Sequence, residues 1–222
     1  MLVYSPMLTS TRFQKSIKSP ADATILKPGK NNKKLGYKIT KGRHKGKYLY
    51  SLTLTERDTC PTTCHHWDDC YGNNMPFAHR FQHGPELEKK LDDEIGKLVR
   101  KHDKGIVVRL HVLGDFYSTE YVFYWGTLLD KYPTLSAYGY TARYDDNIGG
   151  AIAFVDLMHP DRFDIRYSSN KDYSKASGFR YAADESFSGD FFDCPEQTGQ
   201  VKSCADCAAC WQSTKTVRFK SH

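Results

Sequence analysis

No stretch of this chain approaches the ~20 consecutive apolar residues that a membrane-spanning helix needs, so an integral membrane protein is not expected. The opening, Met1-Leu2-Val3-Tyr4-Ser5-Pro6, lacks a basic start followed by an apolar core. A secretory signal is therefore not expected, and the cytoplasm is the expected compartment. Acidic residues are missing altogether from Ala23 to Thr55. An even complement of cysteines is missing too. With seven, a set of intramolecular disulfides would leave one thiol over. In a reducing compartment such cysteines are better read as ligands or catalysts.

What is present fits a folded protein. The 222 residues carry a net charge of +6 and are 39% hydrophobic and 14% aromatic. That length suits one sizeable domain, or one domain with a small annex, and it can bury a core without disulfide support. Between Lys27 and Lys47 stand Lys27, Lys30, Lys33, Lys34, Lys38, Lys41, Arg43, Lys45 and Lys47. Mixed with Tyr37, Tyr48 and Tyr50, they suit phosphate contact and base stacking, which makes nucleic acid a candidate partner. A solvated basic surface is the plainer explanation. Gly36–Thr40 and Lys47–Leu54 read as strands joined through Gly42 and Gly46, a basic-tipped hairpin.

Pro85 opens a helix whose apolar face is Leu87, Leu91, Ile95 and Leu98. Ile106–Leu113 is the clearest core strand, stopped by Gly114-Asp115. Ser118 caps a helix running to Lys131. Leu135–Thr141 is a further strand, Asp145 or Asp146 starts a helix with Ile148, Ile152 and Val155, and Phe163–Tyr167 is a short strand. Strands alternating with helices imply parallel strands with helical crossovers. The expected fold is α/β: a partial barrel or an open, mostly parallel sheet with a C-terminal cysteine-rich metal-binding annex. The boundaries are a basic arm and hairpin (1–47), an α/β core (48–168) and the annex (169–222). Ligands collect beyond the C-terminal ends of parallel strands. There the Cys60 loop, Gly114-Asp115-Phe116 and Thr141-Ala142-Arg143 should converge.

The cysteines fall into two groups. Cys60, Cys64 and Cys70 lie within eleven residues. They could hold an iron–sulfur cube with one open iron, or, with His65 or His66, a tetrahedral zinc ion. The more ordinary role for either histidine is support of a ligand or simple exposure. Cys194-Pro195 precedes Cys204, Cys207 and Cys210, a spacing suggestive of ferredoxin-like ligation. Spacing does not decide which distant cysteine joins which centre. Arg109 and His111, two apart on the core strand, should share one face. Arg143, at a strand end, could grip a carboxylate or phosphate. Its duller role is a surface ion pair with Asp145 or Asp146.

Leu54-Thr55 before Cys60-Pro61, Cys70-Tyr71-Gly72, Gly114-Asp115-Phe116 and Cys207-Ala-Ala-Cys210-Trp211 resemble the gene product 88 family of phages and mobile elements. That resemblance implies the cytoplasm of a host. The layout is also similar, more distantly, to radical S-adenosylmethionine enzymes. They carry a first strand leading into a three-cysteine loop of Cys-x3-Cys-x2-Cys spacing. Here Cys60 and Cys64 match, but Trp67 stands where the third cysteine would be. This second resemblance implies that Gly114-Asp115 is the turn that contacts the methionine amine, with Asp115 in that role; with Arg109, His111 and Arg143, singled out above by their places on the strands, Asp115 is a catalytic candidate. The later cysteines would then form an auxiliary cluster.

The leading expectation is thus an iron–sulfur protein with one or two 4Fe-4S clusters, S-adenosylmethionine as co-substrate and an electron donor as partner. Its substrate would be unspecified, with nucleic acid a candidate. The alternatives are a zinc-stapled nucleic-acid-binding protein and an iron–sulfur redox or sensing module.

Overall fold

The alternating apolar run Ile106-Val-Val-Arg-Leu110 forms a central strand in the computed structural model, which describes residues 13–168 and 179–220. In chain order the elements are β1 (Ile17–Lys18), β2 (Lys27–Pro28), β3 (Tyr48–Ser51), α1 (Glu56–Thr59), β4 (Arg80–Phe81), α2 (Pro85–Lys101), β5 (Ile106–Leu110), α3 (Thr119–Lys131), β6 (Leu135–Thr141), α4 (Asn147–Met158), β7 (Phe163–Ser168), β8 (Arg180–Ala183), β9 (Phe191–Asp193), α5 (Cys204–Cys207), α6 (Ala209–Gln212) and β10 (Thr216–Arg218). Of the expected arm, residues 1–12, and of the expected annex, residues 169–178 and 221–222, lie outside the described residues.

The helix starts follow from local chemistry. The Ser118 hydroxyl accepts from the Tyr121 N–H at 3.1 Å, and the Asp146 carboxylate accepts from the Gly149 N–H at 2.8 Å. Each occupies one donor that the helix itself leaves unpaired. Pro85 stands in the first turn of α2, where its missing N–H costs nothing.

Eight strands form one sheet in the order β2-β3-β5-β6-β7-β8-β10-β9. β2 runs antiparallel to β3, and every other neighbouring pair is parallel. The sheet is mixed and open, with β2 and β9 at its edges, and it does not close into a barrel. Side chains of α2, α3 and α4 cover one face. Leu87, Leu91 and Ile95, with Val122, Trp125 and Leu129, and with Ile152 and Val155, pack on Ile106, Val108, Leu110, Leu135, Ala137, Phe163 and Ile165.

The second face is covered differently, and here the expected annex is corrected. The C-terminal stretch is not a separate lobe. β8, β9 and β10 extend the main sheet. Ala205, Ala208 and Trp211 pack with Leu35 and Ile39 over Leu49, Val107 and Tyr138. The buried Arg166 guanidinium fixes this segment by donating to the carbonyls of Cys210 and Lys215 at 3.0 and 2.9 Å. The arm is anchored as well, since the N–H groups of Ile25 and Leu26 donate to the buried Glu94 carboxylate at 3.0 and 2.9 Å. Where a hairpin is expected, Lys38 and Tyr48 form an antiparallel bridge, and the N–H groups of Ile39, Gly46 and Leu49 donate to the carbonyls of Lys47, Ile39 and Tyr37.

Candidate functional site

Because β3, β5, β6 and β8 run parallel, the loops leaving their C-terminal ends share one edge of the sheet. The convergence expected there is present. Gly114 has φ 85°, and a Cβ on it would stand 2.7 Å from both Leu54 Cβ and Thr59 Oγ1. Only glycine lets the β5 loop approach the β3 loop this closely. Asp115 donates its N–H to Thr59 Oγ1 at 3.1 Å. Its buried carboxylate accepts from the Phe116 N–H at 2.7 Å, the Thr141 hydroxyl at 2.7 Å and the Ala142 N–H at 2.8 Å. Burial pushes its pKa up to about 6, against the opposing pull of those donors and of Arg143. Arg143 completes the knot by donating to the carbonyls of Phe116 and Thr59 and to Asp146 at 2.6, 2.9 and 2.9 Å.

The Cys60 loop is held by further arginines. Arg80, with no exposed surface, pairs with the Glu56 carboxylate at 2.8 Å. It also donates to Ser16 Oγ and to the carbonyls of Gly72, Met75 and Ala78. Arg57 donates to the Trp67 carbonyl and lies 4.6 Å over its ring.

Cys60, Cys64 and Cys70 line a small cavity with Glu56, Arg57, His66 and Trp67. Burial raises all three thiol pKa values. All seven cysteines are free thiols. Among the described residues no three cysteine sulfurs lie within 4.8 Å of one another; the set that does converge is His65, His66 and Asp184. The expected iron–sulfur clusters are corrected on this ground. The S-adenosylmethionine chemistry that would need an open iron falls with them. Cys194 is buried against Ala182 and Val217. Cys204 and Cys210 pack against the second face, where the Tyr140 hydroxyl donates to Cys210 Sγ at 3.0 Å.

Both histidines of the convergent set are exposed and Asp184 is half-buried. The histidine rings stand 4.3 Å apart. Burial is the main influence lowering the His65 pKa, with His66 adding to it. This favours the neutral imidazole that a metal requires. His66 Nδ1 is 3.2 Å from Asp69 Oδ1, the kind of carboxylate support that orients a ligating imidazole. The Asp184 carboxylate accepts from the Ser186 N–H at 2.8 Å. Nitrogen and oxygen donors of this kind suit zinc.

A family model described as Gene product 88 matches residues 24–191. The chain belongs to the gene product 88 family. In this gene product 88 protein the matched stretch takes in the basic arm from residue 24, the Cys60 loop, Gly114-Asp115-Phe116 and Asp184. It ends before Cys194, Cys204, Cys207 and Cys210. Part of the expected resemblance, at Cys207–Trp211, therefore lies beyond it. No curated protein and no solved structure matches the chain.

The remaining candidates are separated by the fold. Arg109 points to the second face. His111 follows the end of β5, takes φ 51° and turns away. Its Nε2 lies 3.2 Å from the Tyr121 hydroxyl, and its ring meets Phe116 edge-on at 4.7 Å. Burial lowers its pKa to about 3, so it is neutral at ordinary pH. Asp184 had no local sequence signal. Of the basic arm, Arg43 pairs with Asp161 and Asp164 and Lys34 with Glu196. Lys47 donates to Ser136 Oγ at 2.7 Å, and burial lowers its pKa to about 8. Lys30, Lys33, Lys41 and Lys45 are exposed with no ion-pair partner among the described residues. Lys45 belongs to the segment that packs on the N-terminal end of β3, at the opposite edge of the sheet from His65 and His66. Among the described residues no helix is long and apolar enough to cross a membrane.

Proposed function

We propose that this protein is a zinc-type metal-binding protein that engages nucleic acid, with the ion held by His65, His66 and Asp184 and phosphates met by the basic arm. The observation that carries the metal reading is the approach of one ligand atom from each of these residues to within 4.8 Å of the others. His65 and His66 sit on the loop after β3, whereas Asp184 follows β8. A bound ion would therefore clamp that loop across the C-terminal edge of the sheet. Three protein ligands, two of them exposed, leave a fourth position for water. Zinc is redox-inert, so this reading needs no electron donor. The nucleic-acid reading is supported by Lys30, Lys33, Lys41 and Lys45, whose ammonium groups are exposed and free to displace counterions from a phosphate backbone. Its expected setting is the cytoplasm, the host's in the case of a phage-encoded chain.

Zinc titration followed by elemental analysis tests the first part. The intact chain should retain one ion, and Asp184→Ala together with His65→Ala should weaken retention by at least about tenfold, as loss of a ligand does even more strongly than loss of its supporting groups. Equal retention by the variant would overturn the site. Fluorescence anisotropy with a single-stranded oligonucleotide tests the second part. Binding should weaken steeply with added salt, and the slope should fall by roughly 0.7 for each contacting lysine changed to glutamate. Absence of binding at low salt would overturn it.

A further inference from the structure

The second face of the sheet carries a guanidinium without a counter-charge. Elsewhere in the chain the inward-facing arginines are fully engaged: Arg80 by Glu56 and carbonyls, Arg166 by carbonyls, and Arg180 by Asp156 and Asp164. Arg109 differs. Its Nε is buried and unpaired, and its guanidinium makes no ion pair or hydrogen bond among the described residues. Its neighbours are the rings of Tyr71, Tyr138 and Tyr140 and the Cys204 thiol, with the Tyr140 ring 5.8 Å away. Burial keeps that thiol in its neutral form, its pKa pushed up to about 12. The residue as a whole is only half-buried, so the charge is not sealed from ligands.

The next strand presents a matching deficiency. Tyr138 is the direct cross-strand partner of Arg109, and its buried hydroxyl has no oxygen or nitrogen partner and faces the Cys204 thiol. Trp211 meets the Tyr138 ring edge-on at 4.8 Å, and its buried Nε1–H is unpaired as well. Three groups able to donate, one of them charged, thus lie on this face without a hydrogen-bond partner. Of the carboxylates on this face, Asp164 is engaged by Arg43 and Arg180 through one oxygen while its other oxygen is buried without a hydrogen-bond partner, and Asp206 accepts from Thr40 and Ser203. A bound oxyanion would supply the counter-charge that Arg109 lacks.

We propose that Arg109 and Tyr138 form an oxyanion-binding site on the second face of the sheet, receiving the carboxylate or phosphate end of a small ligand. The planar fork of arginine matches both groups. The site is separate from His65, His66 and Asp184 and does not rest on the metal reading.

Side-chain Nε–Hε NMR signals of uniformly 15N-labelled full-length protein test it, with the Arg109 signal assigned from its loss in Arg109→Met. Inorganic phosphate and acetate are titrated separately, so that the two arms tell phosphate from carboxylate recognition, and chloride at matched ionic strength is the control. The expected result is a saturable shift of the Arg109 signal with one of the oxyanions and not with chloride. It should persist when Lys30, Lys33, Lys41 and Lys45 are changed to glutamate. In Tyr138→Phe, which removes only the hydroxyl, the affinity should fall by about threefold to tenfold, the worth of one hydrogen bond. An Arg109 signal unmoved by either oxyanion, or moved equally by chloride, would overturn the site. An unchanged affinity in Tyr138→Phe would remove Tyr138 from it.

Discussion

Replacing Arg80 with methionine isolates what holds the Cys60 loop in place. The side chain has no exposed surface, and Glu56 is 3% exposed. The change removes the guanidinium that pairs with the buried Glu56 carboxylate at 2.8 Å. Breaking a buried pair in this way costs about 3–5 kcal/mol. The carbonyls of Gly72, Met75 and Ala78 lose their shared donor too, although a loop can turn some of these toward water. A total near 4 kcal/mol is expected, set against the roughly 5–15 kcal/mol that keeps a typical domain folded. Urea unfolding at pH 7 measures it. Glu56→Gln should also be destabilising alone, because it leaves the buried guanidinium without a counter-charge. The double variant Glu56→Gln with Arg80→Met should cost less than the two added together, since neither charge is then stranded. Cys60, Cys64 and Cys70 should also react faster with a thiol reagent in Arg80→Met. A loss below about 1 kcal/mol, or strict additivity in the double variant, would refute the reasoning.

Two further outcomes follow from the same edge of the sheet. The folded protein holds the Asp115 proton more tightly than the unfolded chain does, with a pKa of about 6 against 3.8. This contribution to stability is therefore fully present below pH 3.8 and is lost as pH rises through 6, by roughly 3 kcal/mol at about 1.4 kcal/mol per unit. Asp115→Asn cannot titrate, so its stability should fall less between pH 4 and 6.5 than that of the unaltered protein; parallel urea-midpoint curves would contradict the assignment. Gly114→Ala places a methyl group 2.7 Å from Leu54 and Thr59 at a positive φ. It should cost about 2–4 kcal/mol in urea unfolding from left-handed strain and overpacking together, whereas a cost under 1 kcal/mol would show that the two loops separate easily.

The helices and inner strands were legible because their signals are local. The β6 span Leu135–Thr141 is the span the apolar pattern marks, and the caps at Ser118 and Asp146 are chemical statements within three residues of the groups they bind. The core strand ends sooner than its composition suggests. His111 takes a left-handed backbone, which no non-glycine residue announces, so Arg109 and His111 part company instead of sharing a face. The C-terminal strands span only three or four residues each, too few to display a period, and the cysteines among them invited a metal-stapled annex instead. The site was half visible. His65 and His66 stand beside Cys64, but Asp184 lies far along the chain, and it shares their edge because β8 runs parallel to β3 in the same sheet. Charge patterning exposed the lysines, but not which ones Asp164 and Glu196 would hold.

The cover of the second face, assembled from Leu35 and Ile39 on one side and Ala205, Ala208 and Trp211 on the other, has a consequence for biosynthesis. Leu49, Val107 and Tyr138 emerge from a ribosome long before the last helical turns that shield them. A nascent chain thus carries an apolar flank until Ala205, Ala208 and Trp211 have left the exit tunnel. Ribosome-stalled chains ending before Ser203 should bind hydrophobic dyes and chaperones, and those in which a C-terminal linker carries Trp211 clear of the exit tunnel should not.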